Sequence, residues 1–201
     1  QIFNNQGAGL TILIHGWDPG VIEPSWMQKT AEEIIKRSGG KGKIIKIDIF
    51  KKSKAINAKI SGYDFSFEDL DHCEIVLIVN WINVANHIIN NVSTYEVANK
   101  IAQILLSDTF NNSPLVSIPI HIIGHSRGAG MAYQIAKNLG KHGVDVEHIT
   151  SLDPHPLTNK DPKPIASFFG KKIVLDPQIY LYDNIIFADN YYQTINYPMG
   201  K

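Results

Sequence analysis

The stretch HIIGHSRGAGMAYQIAKNLG, His121 to Gly140, carries the pattern G-x-S-x-G at Gly124, Ser126 and Gly128. Upstream, SIPIHIIG (Ser117 to Gly124) is an apolar run of the kind that forms a buried strand. Downstream, Ala132, Ile135, Ala136 and Leu139 recur at helical spacing as far as Gly140. Three fixed positions alone say little, because Gly and Ser are both common residues. A strand before them and an apolar-striped helix after them are the setting in which such a turn presents a serine as a nucleophile. Gly124 and Gly128 then have a physical task, since β-carbons two residues either side of a strained serine turn would collide. Gly130 is expected to let the helix approach the sheet. The competing reading is an ordinary tight turn with a solvent-facing Ser126.

The same alternation extends along the chain. LTILIHGW (Leu10 to Trp17) is a short Ile-rich run ending in a Gly and the breaker DPG, which suits a buried parallel strand with a functional loop behind it. A helix follows, with Ser25 and Gln28 as a capping box and Met27, Ala31, Ile34 and Ile35 on one face. KIIKIDIF (Lys43 to Phe50) and, more weakly, AINAKISGY alternate as a half-exposed hairpin, giving an inserted edge element over 41–72. EIVLIVNW (Glu74 to Trp81) returns to the fully apolar type. Ser93 and Glu96 cap a second helix striped by Ala98, Ile101, Ala102 and Leu105. VEHITSL (Val146 to Leu152) and NIIFADNYY supply two more strands. Strands and helices in this order predict an α/β sandwich, mostly parallel, with helices on both faces and its site at the carboxyl ends of the strands.

Composition excludes several classes of function. The 201 residues suit one domain, and 19 basic residues balance 19 acidic ones without a basic block, so no nucleic-acid surface is expected. Cys73 is the single cysteine, which rules out an internal disulfide and a Cys-rich metal site; neither a metal nor a cofactor is expected. No apolar run approaches the roughly 20 residues of a membrane span. The chain begins at Gln1 without an initiator Met, as it would after removal of a signal peptide or at a chosen boundary within a longer chain, so secretion and the compartment stay open. NQGAGL precedes a strand and GGKGKI lacks the Ser or Thr of a phosphate loop, so both read as turns.

A serine hydroxyl needs a base to take its proton, and the oxyanion it creates needs at least two fixed N–H donors. Arg127, at the start of the helix, offers one backbone N–H. The loop His15-Gly16-Trp17 offers the other, with Trp17 as the candidate. The carboxylate that orients the base belongs at the end of a strand next to the nucleophile strand. Asp153 fits, one helix and one strand after Ser126; Asp145, Asp176 and Asp189 are rivals.

LIHGW, IVNW, IIGHSRGAG and ITSLDP, in this order and spacing, resemble the pancreatic-lipase-like branch of the α/β-hydrolases, and LDPHP with NIIFADNYYQ is similar to its bacterial extracellular members. The likeness covers most of residues 9 to 157 outside the 41–72 insertion. It implies a serine hydrolase, a carboxylesterase or lipase-like enzyme, cleaving a small-molecule or lipid ester through an acyl-enzyme. Ser126 matches the nucleophile, Asp153 the acid, and the N–H groups of Trp17 and Arg127 the oxyanion hole. The family's third residue is a histidine beyond the last strand, and this chain has none after His155. His125 adjoins the serine and His155 is tethered two residues past Asp153; neither suits the base, and His15 has the look of a structural residue. The expectation is a single α/β-hydrolase domain over 1–201 that lacks the C-terminal segment carrying the histidine. The alternative is a pseudo-hydrolase, a binding or scaffold module that kept the fold and lost the base. The 41–72 hairpin reads as a lid, a partner surface or neither.

Overall fold

In chain order the strands are β1 (Leu10–Ile14), β2 (Gly42–Lys52), β3 (Ala55–Ser61), β4 (Glu74–Asn80), β5 (Ile120–His125), β6 (Val146–Leu152) and β7 (Ile185–Tyr191). The helices are α1 (Ser25–Arg37), the short α2 (Ile82–Ala85), α3 (Thr94–Leu106) and α4 (Arg127–Gly140). These come from a computed structural model, which describes residues 9–17, 24–62, 73–85, 92–108, 114–156 and 175–193.

All seven strands join one sheet in the order β3-β2-β4-β1-β5-β6-β7. Every neighbouring pair is parallel except β2 with β3. The connection from β1 to β2 passes β4 in one direction; that from β4 to β5 passes β1 in the other. Right-handed crossovers running in opposite directions put their helices on opposite faces of the sheet. Alternation along the strands then divides the core in two. Leu13, Val76 and Ile78 pack against Met27 and Ala31 of α1. Ile12, Ile14, Ile75, Leu77, Val79 and Ile122 pack on the other face against Ile101, Leu105, Met131 and Ile135 of α3 and α4. The architecture is the expected α/β sandwich, a mostly parallel sheet with helices on both faces, with the carboxyl ends of β1, β4, β5 and β6 side by side.

The 41–72 hairpin lies at an edge as expected, and β2 pairs with β4 from Gly42↔Glu74 to Asp48↔Asn80, which makes it part of the main sheet. Residues 63–72 of that element lie outside the described residues. Two other expectations change in detail. The capping box at Ser25 does not form: Ser25 is already helical, Pro24 is the cap without a side-chain bond, and the Gln28 amide donates to Glu32 at 2.7 Å. At α3 the box forms, with Ser93 Oγ accepting from Tyr95 N–H and Glu96 Oε2 from Ser93 N–H. Strand β5 starts three residues later than its apolar run, because Leu115–Ser117 is a 3-10 turn and Pro119 has no N–H for a ladder.

Candidate active site

Ser126 joins β5 to α4 with φ 54° and ψ −120°, a conformation that L-residues rarely adopt. Its N–H donates to Leu152 O at 2.9 Å, which ties the turn to the end of β6. The glycines around it are needed sterically. A β-carbon on Gly124 would stand 2.4 Å from Gly128 O, and one on Gly128 would stand 2.5 Å from His15 O. Gly130 has no such constraint: its β-carbon would meet Ile179 and Pro156 at 3.8 Å, ordinary contact, so it does not act as a spacer against the sheet.

Gly16 closes the other side of the serine, since a β-carbon there would lie 2.6 Å from Ser126 Cβ and 3.0 Å from its Oγ. The loop after β1 and the turn after β5 thus touch, and Trp17, about half exposed, is the next residue along. Arg127 is the first residue of α4, where backbone N–H groups have no partner within the helix.

Asp153 follows β6 as Ser126 follows β5. The register His125↔Leu152 brings the two residues to the same sheet edge, on strands about 4.8 Å apart. Asp153 also has positive φ, 47°, and its N–H donates to Tyr191 O at 2.7 Å. Among the described residues neither the Asp153 carboxylate nor Ser126 Oγ has a hydrogen-bond partner. The chain then turns back under the nucleophile, where His155 N–H donates to Ser126 O at 3.3 Å.

The rival carboxylates are engaged elsewhere. Asp176 is buried and binds the Arg127 guanidinium through both oxygens at 2.6 Å. Asp189 lies within β7, beside Thr150, with Oδ1 3.1 Å from His148 Nε2. Asp145 precedes β6, at the opposite edge of the sheet.

No family model and no curated protein matches the chain. A solved structure, "the putative cell surface hydrolase from Lactobacillus plantarum WCFS1", aligns with 72% of this chain at 17% identity and a TM-score of 0.37. This chain spans about half of that protein, 52% of its length. A likeness at that score says nothing about chemistry.

The described histidines fall into distinct roles. His15 is buried and accepts the Trp81 backbone N–H on Nε2 at 3.1 Å. A backbone N–H can only donate, so the ring proton belongs on Nδ1, which donates to Gly16 O at 2.6 Å. Both ring nitrogens are committed, and His15 is not a base for Ser126. His125 points its ring at Trp26, 6.3 Å between centroids. His142 lies beyond the far end of α4. His121 and His148 stack at 4.2 Å with their planes 3° apart, each with Nε2 near Thr150 Oγ1. Burial, with repulsion from His148 and only partial relief from Asp189, lowers the His121 pKa to about 4. Partial burial would raise the Asp189 pKa, yet hydrogen bonds with Thr150 and His148 hold it below its ordinary value. No group of three His, Cys, Asp or Glu among the described residues is placed to hold a metal, and no described helix is long and apolar enough to cross a membrane. His72 and His87 lie outside the described residues.

The sequence reading missed what stands behind the serine. Trp81, which ends the VNW run, is fully buried, and the Arg127 side chain points inward onto it. A lone Arg at a helix start reads from sequence as a solvated residue, and its partner Asp176 is 49 positions away.

Proposed function

We propose that the protein is a serine hydrolase of the carboxylesterase or lipase-like kind, in which Ser126 Oγ attacks the acyl carbonyl of a small-molecule or lipid ester. The observation that carries this reading is the strained backbone of Ser126, held at φ 54° between strand and helix by glycines that cannot carry a β-carbon. Strain of this sort costs about 1–3 kcal/mol and persists where the geometry has a use. Attack moves the carbonyl electrons onto oxygen, and the N–H groups of Trp17 and Arg127 are the donors assigned to that oxyanion. The base takes the serine proton and gives it to the departing alcohol; water, activated by the same base, then frees the acid. Asp153 is assigned to orient that base, and its carboxylate at the neighbouring strand end, which has no hydrogen-bond partner among the described residues, supports the assignment.

No described histidine is hydrogen-bonded to Ser126 Oγ, so we place the base outside the described residues, in a segment following the last strand as the pancreatic-lipase-like resemblance implies. The same observation favours the second reading, a pseudo-hydrolase that binds without turnover. Hydrolysis of an activated ester separates them, measured on residues 1–201, on the complete gene product, and on the complete product with Ser126→Ala. A preformed oxyanion hole without its base leaves about 10³ to 10⁴ over water, so residues 1–201 should turn over feebly. The complete product should gain several orders of magnitude, and Ser126→Ala should remove that gain. A complete product with no Ser126-dependent turnover would favour the binding module. Full turnover by residues 1–201 would return the base to a histidine within them, with His155→Ala as the first variant to try.

A further inference from the structure

The two oxyanion donors assigned above belong to different segments, the loop after β1 and the start of α4, so their spacing depends on what is packed between them. One residue touches both. Trp81 donates its backbone N–H to His15 Nε2 at 3.1 Å and its indole N–H to His15 O at 2.7 Å. His15 passes the constraint on by donating Nδ1–H to the carbonyl of Gly16, whose Cα lies against Ser126. On the other side, the Trp81 ring lies under the Arg127 guanidinium, 5.0 Å from its carbon to the ring centroid. Asp176 grips that guanidinium from behind with two 2.6 Å bonds, and Val92 O accepts a further one at 3.3 Å. Asp176 Oδ1 also accepts the Thr94 N–H at 3.2 Å, at the start of α3.

Such a group of residues needs a reason. Burying a guanidinium and a carboxylate is costly, and a buried ion pair often does no more for stability than apolar residues of similar volume. What it does supply is fixed geometry, because a planar guanidinium held bidentately and stacked on an indole has few ways to move. We infer that Trp81, Arg127 and Asp176 form a strut that sets the position of the His15–Gly16–Trp17 loop relative to the start of α4, and so the width of the oxyanion hole. Trp81 and Asp176 are positioning residues: they act through His15 and through the side chain of Arg127, whose backbone N–H is the group facing the substrate. The consequence for catalysis rests on the serine-hydrolase reading, whereas the geometry stands without it.

The test separates the two. Trp81→Phe keeps an aromatic face for Arg127 but deletes the indole N–H together with one ring of a fully buried side chain; Asp176→Asn keeps the shape and removes the charge. Asn138→Ala is the control, since it breaks a partly buried 2.6 Å bond between α4 and α3 that has no link to the loop. Amide hydrogen exchange, measured on the complete chain, should be at least about tenfold faster at Gly16 and Trp17 in Trp81→Phe, with Ile122 and Ile149 in the sheet moving only as far as in Asn138→Ala. In Asp176→Asn the faster site should be the first turn of α4, which keeps the strut testable should Trp81→Phe not fold. Ester hydrolysis should fall about 10- to 100-fold in kcat with KM nearly unchanged, the range expected when donors are displaced and not deleted. Unchanged exchange at Gly16 and Trp17 overturns the strut even if hydrolysis persists. Faster exchange there, with kcat no lower than in Asn138→Ala, overturns its role in the oxyanion hole. Wild-type protein with no hydrolysis, but with the exchange pattern described, refutes the serine-hydrolase reading and leaves the strut standing.

Discussion

Gly16 and Ser126, from loops 110 positions apart in the chain, are in such contact that a β-carbon on the glycine would lie 2.6 Å from the serine Cβ. Real β-carbons do not approach that closely, so one of the two loops would have to move. Gly16→Ala should therefore displace the serine or the Trp17 N–H. We expect a loss of about 100-fold in kcat/KM for an activated ester, and a stability cost of about 1–3 kcal/mol from overpacking. Urea titration and initial-rate kinetics on the same preparation check both. A variant as active as wild type would show that the loop does not serve the reaction.

Replacing the serine itself should have the opposite effect on stability. At φ 54° and ψ −120° a side chain is strained and glycine is not. Ser126→Gly should abolish Ser126-dependent hydrolysis while raising unfolding free energy by about 1 kcal/mol, once the extra freedom of glycine in the unfolded chain is allowed for. Ser126→Ala, which keeps a β-carbon, should lose activity without that gain. Equal stabilities for the two variants would mean that the turn stores no strain.

Much of this edge was legible in the sequence because it depends on local patterns. G-x-S-x-G between an apolar run and a striped helix located the turn, and the order of strands located Asp153 beside it. The capping box at Ser93 and Glu96 was legible for the same reason: all of its bonds lie within four residues. The box at Ser25 failed because Pro24 takes the cap and places Ser25 inside the first turn, which no local pattern excludes. Illegible, too, was whatever depends on residues brought together by topology. Asp176 looked like a rival acid and holds Arg127; Gly130 looked like a spacer and is not one. The stack of His121 on His148 exists only because β5 and β6 are neighbours in register.

The three glycines of GHSRGAG give a graded test. Gly124 and Gly128 are crowded by backbone, which cannot swing aside as a side chain can. Gly124→Ala and Gly128→Ala should each destabilise by at least about 1–3 kcal/mol and lower activity together with folded yield. Gly130 is inside α4 with room at 3.8 Å, so Gly130→Ala should stabilise by about 0.5–1 kcal/mol through the chain entropy removed. Thermal denaturation of the three variants decides the ranking. A destabilised Gly130→Ala would show that the helix approaches its neighbours more closely than these contacts allow.

The stacked histidines predict how stability varies with acidity. His121 titrates near its ordinary value of 6.5 in the unfolded chain and at about 4 in the folded one, where burial, and then the facing His148, penalise its charge. Between those values the unfolded state binds the proton and the folded state does not. Unfolding is therefore favoured progressively as pH falls from 6.5 towards 4, and the full stability is present above that window. One proton changes the unfolding free energy by at most about 1.4 kcal/mol per pH unit, and the partial exposure of the pair narrows the pH window over which that change accumulates. His121→Gln, whose amide nitrogen extends about as far as the imidazole Nε2 that meets Thr150 Oγ1, keeps that contact and removes the titration. Urea denaturation of wild type and variant at intervals from pH 4 to 7 should give curves that converge towards low pH, since the wild type alone carries this loss. Carboxylates that titrate in the same range contribute to both curves and drop out of the difference. Parallel curves over the whole range would mean that His121 takes up its proton as readily in the folded protein as in the unfolded chain, and the stacking would then have to be looser than 4.2 Å.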